Sequence, residues 1–344
     1  MKQFKFLLIV VAGIFSLMFT SCENQDIEFP DFDYSTVYFA YQYPVRTIVL
    51  GEDIIDNTLD NQYKCEIYAT MGGVYSNDKS IGIDISVDNN LCNNLYFDAE
   101  FSSPVQAMPA NYYSLAANQV VLDKTLSDGV EVQLSDAFFA DPNSLKNTYV
   151  IPLRMTNVEN ADSILSGVPK FDGAVRGNIT DWDVLPKDYV LYCVKFINPF
   201  HANYLRRGTD EITEGGSSTT VERRAAYVED DEVVSMHTAS LNSVEYPVSV
   251  INAENTNVTC TLLLTFNDQN TCTVTSASEG FTVSGSGSFV EDGDKNSWGN
   301  QDRNVIYLDY TIDMGGKSYA TKDTLVVRDR GVAMETFSPS FKVN

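Results

Sequence analysis

The chain has 344 residues, of which 47 are acidic and 23 are basic, so its formal net charge at pH 7 is −24. A field of that sign repels phosphate backbones, and the composition therefore disfavours nucleic-acid partners. The hydrophobic fraction of 44% is enough for packed cores, and the length suggests two domains.

The first 21 residues have the three parts of a secretory signal. Lys2 and Lys5 give a positive start, an apolar stretch runs from Phe6 to Phe19, and Thr20-Ser21 are small residues directly before Cys22. Small residues followed by a cysteine resemble a bacterial lipobox, although Phe19 stands where that motif usually has Leu. The resemblance implies cleavage before Cys22 and acylation of its thiol. An ordinary secretory signal with a chance cysteine is the alternative.

Residues 22–35 are acidic and lack periodicity, which predicts a tether between the lipid and the folded protein. The run from Glu23 to Glu28 resembles the surface-export signal of Bacteroidota lipoproteins and implies an outer-membrane location facing the cell exterior. No later segment approaches 18 consecutive apolar residues. We therefore expect the lipid to be the only membrane attachment.

Strand-like segments begin at Thr36. They are Thr36–Tyr41, Arg46–Leu50, Tyr63–Met71, Ile81–Val87, Gln119–Leu122, Gly129–Leu134 and Thr148–Met155. Ile81–Val87 and Gly129–Leu134 alternate apolar with polar or small residues. This period of two predicts half-buried antiparallel sheet. About seven strands without a long helix predict an immunoglobulin-like β-sandwich over residues 36–156, with a helical turn at Asp136–Leu145.

Residues 157–185 lose this periodicity and contain several Gly and Pro residues, which predicts a linker between domains. A second β-rich region follows at residues 186–344. Its expected strands are Asp188–Ile197, Ala225–Val228, Glu232–Thr238, Val244–Val250, Val258–Phe266, Cys272–Ser278, Phe281–Phe289, Asn304–Ile312 and Tyr319–Val327. Short turns join the last six into a meander, which favours closure into an up-and-down β-barrel. A second sandwich is the main alternative.

Five cysteines remain besides Cys22, and this odd number argues against a complete disulfide framework. They are Cys65, Cys92, Cys193, Cys260 and Cys272. A turn at residues 267–270 would place Cys272 opposite Thr265 and Cys260 five residues further along. At ~3.4 Å per residue that offset is about 17 Å, beyond the reach of a disulfide. We predict that all five are small buried hydrophobic side chains.

Two parts of the chain resemble a known family. The segments Val37–Thr47 and Thr148–Arg154 are similar to the N-terminal β-sandwich of Bacteroidota surface lipoproteins, domain of unknown function 1735. Asn203–Gly208 and Trp298–Arg303 are similar to the lipocalin-like C-terminal modules that accompany it. The resemblance implies a lipocalin-like barrel and capture of an oligo- or polysaccharide beside a SusC/SusD-type transporter. It supplies no catalytic motif.

Catalytic motifs are not apparent in the sequence. It has no Gly-x-Ser-x-Gly, Walker-type or His-Glu-x-x-His pattern, and its two histidines, His201 and His237, are isolated. We predict that the protein is not an enzyme and needs no cofactor. A glycoside hydrolase is the alternative, because acidic pairs are abundant. Oxygen side chains from Asp292 to Asp302 partly match a calcium loop, but Arg303 replaces the final Glu, so we favour a polar hairpin loop without metal.

The two tryptophans are the best candidates for ligand contact. Trp298 lies in the polar loop, with hydroxyl-matching side chains nearby at Asn296, Asn300 and Asp302. An aromatic face bordered by polar groups suits sugar recognition. Trp182, in the predicted linker, and Tyr204 are further candidates. A plug between domains (Trp182) and a barrel-end lid (Trp298) are the structural alternatives. We predict a glycan-binding accessory protein, or alternatively an adhesion or structural surface protein.

Overall fold

The computed structural model describes Phe32 and residues 34–343, of which 54% lie in strands and 8% in helices. The predicted signal, Cys22 and nearly all of the predicted tether lie outside the described residues. In the part that is described, no helix combines the length and the hydropathy that crossing a membrane requires.

The N-terminal unit is a β-sandwich, as predicted. Its strands are β1 (Thr36–Tyr38), β2 (Pro44–Val49), β3 (Lys64–Gly72), β4 (Ser80–Val87), β5 (Leu95–Tyr96), β6 (Gln106–Ala107), β7 (Tyr113–Leu115), β8 (Gln119–Asp123), β9 (Ser127–Leu134), β10 (Tyr149–Glu159), β11 (Ser163–Ile164), β12 (Val168–Pro169), β13 (Trp182–Val184) and β14 (Tyr189–Ile197). Two short α-helices, α1 (Thr58–Asn61) and α2 (Asp136–Ala140), and three 3-10 helices, at Asn89–Cys92, Pro142–Leu145 and Ile179–Asp181, complete it. Helix α2 and the 3-10 helix after it confirm the predicted helical turn.

The C-terminal unit is a barrel, again as predicted. Its strands are β15 (Ala202–Glu214), β16 (Ser217–Arg223), β17 (Glu232–Ser240), β18 (Ser243–Ile251), β19 (Asn257–Phe266), β20 (Thr271–Ser276), β21 (Thr282–Asp294), β22 (Arg303–Asp313) and β23 (Lys317–Asp329). Two further strands, β24 (Glu335–Thr336) and β25 (Ser340–Phe341), follow.

The sandwich core forms between two sheets. One has the strand order β11-β1-β3-β9-β7, and the other has β24-β2-β14-β10-β4-β8 with β6 beside β10. The alternation in β4 places Ile81, Ile83 and Ile85 in this core, in the same cluster as Val130 and Val132 of β9. Each fully buried Ile or Val contributes about 1.5–3 kcal/mol to the free energy of unfolding, so this face fixes the register of β4.

The barrel closes because β15 pairs with both ends of the meander. It pairs with β17 at residues 202–206 and with β23 at residues 203–214, which makes an eight-stranded ring, and β16 extends from β15 as a hairpin. Gly285 and Gly287 of β21 allow the close approach of β22, since a Cβ atom at either position would lie 2.4 Å from Tyr310 or Leu308. These glycines therefore serve the curvature that closure needs.

The domain boundary differs from the prediction. Strand β14, expected in the barrel region 186–344, lies in the sandwich between β10 and β2. The predicted linker 157–185 contributes β11 to the sandwich, and β24 and β25 return there to pair with β2 and β5. The local pattern of a buried strand is the same in either unit, and only its distant partners decide where it belongs.

Strand assignment at the start of the barrel also differs. No strand forms at Ala225–Val228, which was expected to be one, whereas β15 and β16 were not expected. In β15 the charged residues Arg206 and Asp210 occupy buried positions, so the apolar–polar alternation that marks a strand is broken.

The five cysteines of the described residues are buried, as predicted. The β19–β20 register is shifted by one residue from the prediction, because Cys272 pairs with Phe266 rather than Thr265. The cause is Asn270, whose φ of 57° gives the hairpin a three-residue loop with a left-handed residue at its end. Cys260 and Cys272 are thus further apart in register than expected, and both are free cysteines, as predicted.

Candidate functional site

The sandwich and the barrel are joined through the guanidinium group of Arg330. It donates hydrogen bonds to the carbonyl oxygens of Leu50 (3.0 Å) and Glu52 (2.7 Å) in the sandwich. It also donates to those of Asn198 (2.7 Å) and His201 (2.8 Å) in the connection to the barrel. Burial lowers the pKa of Arg330. One side chain therefore holds three separate segments together.

The connection between the units is held by side-chain hydrogen bonds. The buried Asn198 side chain donates to the carbonyl oxygens of Ser240 and Ser243, both at 2.8 Å, and accepts from the backbone N–H of Phe200 at 3.0 Å. Gly51 (φ 84°) approaches the connection so closely that a Cβ atom would lie 2.7 Å from Cβ of Pro199. Only glycine fits this approach in this conformation.

A cleft of about 700 Å³ opens beside this junction. One wall is the sandwich loop from Gly51 to Asn61, and the other is the barrel loop Glu291–Asn304 with the end of β23. A narrower arm of about 190 Å³ continues past Phe200 and Phe289 at the barrel end. The volume of the cleft, and its position between two units, are typical of ligand sites.

Both walls of the cleft are held in place by amide side chains. In the sandwich loop, Asn57 Nδ2 donates to the carbonyl oxygen of Gly51 (2.7 Å), and Asn61 Oδ1 accepts from the Gly51 N–H (2.8 Å). Across the cleft, Asn304 Nδ2 donates to Glu52 Oε2 at 3.1 Å. The two walls are thus linked directly, and the cleft is shaped before any ligand arrives.

Trp298 lines this cleft, but it is not an open stacking surface. The Arg303 guanidinium lies 3.5 Å from the indole centroid and covers one ring face. The ring packs with Leu205 and Val326 on the outside of the barrel, and its Nε1 donates to the carbonyl oxygen of Val327 at 3.1 Å. Trp298 therefore forms a fixed wall of the cleft, and its contact with a ligand remains a prediction.

The predicted partners of Trp298 take different positions. Asp302 lines the cleft, accepts from the Asn296 N–H (3.0 Å) and forms an ion pair with Lys295 (2.8 Å), whose hydrogen bond lowers the pKa of Asp302. Asn296 and Asn300 are exposed on the same loop in left-handed conformations and are not among the residues that line the cleft. The loop resembles the favoured polar hairpin, because its own side chains cap its backbone.

Two other predicted binding residues are wrong. Tyr204 is 0% exposed in the barrel core, where its hydroxyl donates to the carbonyl oxygen of Phe200 at 2.7 Å. Trp182 is 7% exposed, and its Nε1 donates to the carbonyl oxygen of Val175 at 2.9 Å. Tyr204 is covered by the barrel core and Trp182 by the segment around Val175, and a lone aromatic residue in a sequence does not reveal such cover.

The sandwich side of the cleft was missed by sequence reasoning. Glu52, Ile54 and Asn57 lie in a polar loop without periodicity, and nothing local indicates that it faces the barrel. Acidic side chains dominate the lining: Glu52, Asp53, Glu291, Asp292, Asp302 and Asp329 stand against Arg303, Arg328 and Arg330. Since Arg330 is engaged by four carbonyl oxygens and Arg303 is stacked on Trp298, the cleft has an anionic character.

Comparisons with known proteins give the family. A family model for DUF5627, a domain of unknown function, matches residues 199–331, and a model described as a "-like, N-terminal domain" matches residues 32–162. The chain is similar to a protein of unknown function from Bacteroides ovatus, whose crystal structure has a TM-score of 0.86 and 47% sequence identity. That match covers 90% of this chain and 100% of the other. No curated protein matches.

Two other solved structures show lower similarity. A multidomain protein including DUF1735 from Bacteroides ovatus has 12% identity and a TM-score of 0.40, over 87% of this chain and 97% of that one. An auxiliary nutrient binding protein from Bacteroides thetaiotaomicron has 13% identity and a TM-score of 0.36, over 85% and 95%.

Proposed function

This chain belongs to the family of the Bacteroides ovatus protein of unknown function and carries a DUF5627 domain, and we propose that it binds glycan at the cell surface as part of nutrient capture. It acts as a lipid-anchored accessory of a polysaccharide-uptake system, beside a SusC/SusD-type transporter. It binds the glycan without cleaving it.

The cleft between sandwich and barrel is the observation that carries this proposal. It combines a volume of about 700 Å³, an apolar edge at Ile54 and Trp298, and hydrogen-bonding groups at Asp302 and Arg328. Sugar rings present C–H faces and hydroxyl groups together, so a site for them needs apolar and polar groups side by side.

The charge of the cleft favours neutral glycans. Its acidic lining would repel carboxylated or sulfated sugars, and the net charge of the chain acts in the same direction. We therefore expect binding to a neutral polysaccharide at moderate salt and weak or no binding to a sulfated one.

Retention on polysaccharide affinity gels tests the proposal. Ile54, 92% exposed in the cleft, should lower retention when replaced by Ala while the melting temperature stays unchanged. Ile251→Ala is the matched control, since Ile251 is 48% exposed outside the cleft. If no neutral polysaccharide among a broad panel retains the wild type, the glycan proposal is wrong.

Trp298→Ala should affect both properties. Losing the wall residue should weaken retention, and losing its packing on the barrel should cost about 2 kcal/mol of stability. Native electrophoresis in polysaccharide gels measures the first, and thermal unfolding measures the second. Full retention with a lowered melting temperature would show that Trp298 is only a structural lid.

Membrane attachment is tested through Cys22. Cys22→Ala should release the protein from the membrane fraction, and intact cells that carry the wild type should expose it to added protease. A wild-type protein degraded only after cell lysis would be periplasmic, which contradicts the proposed location.

A further inference from the structure

A second groove, of about 310 Å³, lies on the sandwich and shares no lining residue with the cleft. It opens beside β3 at the point where β1 ends, since β1 pairs only with residues 70–72 of that strand. Two tyrosines, Tyr41 and Tyr68, line it and are 58% and 54% exposed. Two large exposed aromatic rings on one groove call for an explanation beyond core packing.

The Tyr68 ring is fixed in orientation. Its hydroxyl donates to Glu66 Oε2 at 2.6 Å, a bond that raises the pKa of Tyr68 to about 12. The ring lies over Gly129 of the neighbouring strand, where a Cβ atom would meet two ring carbons at 3.4 Å. One face of the ring thus lies against the sheet, and its other face remains available to a ligand.

Backbone hydrogen bonds hold the segment that carries Tyr41 on both sides of that residue. The Phe39 N–H donates to the carbonyl oxygen of Lys187 (2.9 Å), and the Leu191 N–H donates to that of Gln42 (2.7 Å). Gln42 Nε2 donates to the carbonyl oxygen of Phe39 at 2.6 Å, which closes the turn. The backbone of Tyr41 is therefore ordered before a ligand binds, and little conformational entropy would be lost on binding.

Hydrogen-bond acceptors border the two rings. Thr70 Oγ1 donates to the carbonyl oxygen of Leu126 (2.8 Å) and Ser127 Oγ to that of Ala69 (2.9 Å), which leaves lone pairs of both hydroxyl oxygens free to accept. The Glu66 carboxylate adds further acceptors and repels anionic ligands. Apolar ring faces beside acceptors match the C–H faces and hydroxyl donors of a neutral sugar.

We infer that this Tyr41–Tyr68 groove is a second glycan subsite, which takes one or two neutral pyranose units. Its volume lies at the small end of ligand sites, so it suits a short stretch of sugar rather than a long chain. The inference rests on the proposed glycan function and adds a second contact to it. Two weak subsites on one protein raise the avidity for a repeating polymer without any new contact at the cleft.

Fluorine NMR on protein labelled with 3-fluorotyrosine tests this directly. The mature chain (residues 22–344, Cys22→Ser) is titrated with maltose, cellobiose, mannobiose and lactose, and the Tyr41 and Tyr68 resonances are assigned from Tyr41→Phe and Tyr68→Phe variants. We expect saturable shifts of these two resonances with at least one disaccharide. The resonance of Tyr227, which is 67% exposed outside both sites, should not move.

Variants separate this inference from the proposed function. Tyr68→Ala should weaken binding of that disaccharide about tenfold, since one stacked ring face is lost, and Tyr227→Ala should leave it unchanged. Ile54→Ala, in the cleft, should not alter the Tyr41 and Tyr68 shifts. If polysaccharide gels retain the protein and no disaccharide shifts these resonances, the groove is not a subsite, although the glycan function stands. Shifts at the tyrosines with no effect of Ile54→Ala on gel retention would instead place the binding in this groove and overturn the role of the cleft.

Discussion

His201 shows how a single side chain can make the stability of this protein depend on pH. It lies at the junction of the two units, and its Nδ1 accepts a hydrogen bond from the Thr238 N–H at 3.1 Å. That bond requires the neutral ring. Burial, together with nearby His237, Arg330 and Lys195, lowers the pKa of His201 from 6.5 to about 4.

Stability should therefore fall as the pH decreases from about 6.5 to about 4. In that window the unfolded chain takes up a proton on His201 and the folded protein does not, a difference worth up to about 3 kcal/mol. His201→Asn should remove this dependence, because an amide oxygen can accept the same bond without titrating. Urea unfolding at several pH values measures the free energy of unfolding. The same pH dependence in the wild type and the variant would contradict the assignment to His201.

At the scale of elements, β15 is stabilised by an ionic network inside the barrel. Asp323 of β23 accepts from Arg206 Nε of β15 (3.2 Å), Arg223 Nη2 of β16 (2.8 Å) and the Tyr310 hydroxyl of β22 (2.9 Å). Gly208 allows the close approach of β23 that brings in this carboxylate, since a Cβ atom there would lie 2.1 Å from the carbonyl oxygen of Lys322 and 2.9 Å from Asp323 Oδ1. Four strands thus meet at one buried carboxylate.

Asp323→Asn should lower the free energy of unfolding by about 3–5 kcal/mol, because removing one partner leaves buried arginines uncompensated. Asp309→Asn is the control, since Asp309 is exposed and its ion pair with Lys322 spans 3.6 Å. Exposed pairs contribute about 0–1 kcal/mol. Chemical denaturation of both variants gives the comparison, and a loss at Asp323 no larger than at Asp309 would show that the network is not needed for the barrel.

Across the two units, Arg330 determines whether the sandwich and the barrel unfold together. Its removal leaves the buried carbonyl oxygens of Leu50 and Asn198 without this donor, and each unpaired group costs about 1–3 kcal/mol. Arg330→Met should therefore lower the melting temperature, separate the unfolding of sandwich and barrel, and weaken retention by the cleft that the junction shapes.

Differential scanning calorimetry resolves these transitions. Arg328→Met, two residues away and half-exposed, should unfold like the wild type. A single unshifted transition in Arg330→Met would mean that the remaining contacts, including β24 against β2, are sufficient to join the units.

Much of the fold follows from the sequence, because its signals are local. Alternation marked β4 and β9, short polar turns marked the meander β18–β23, and the glycines of β21 indicated a curved strand. The same reasoning failed at β15, because Arg206 and Asp210 are polar in sequence although they are buried in the structure. It also failed at Tyr204 and Trp182, because covering a ring depends on residues far away in the chain.

Composition and periods of a few residues were enough to predict an acidic, all-β protein with a sandwich before a barrel and with buried cysteines. They were not enough to predict which unit holds β14, how Arg330 joins the units, or where a cleft forms. These features depend on contacts between segments more than a hundred residues apart, such as Arg330 with Leu50, and no local pattern records such a contact.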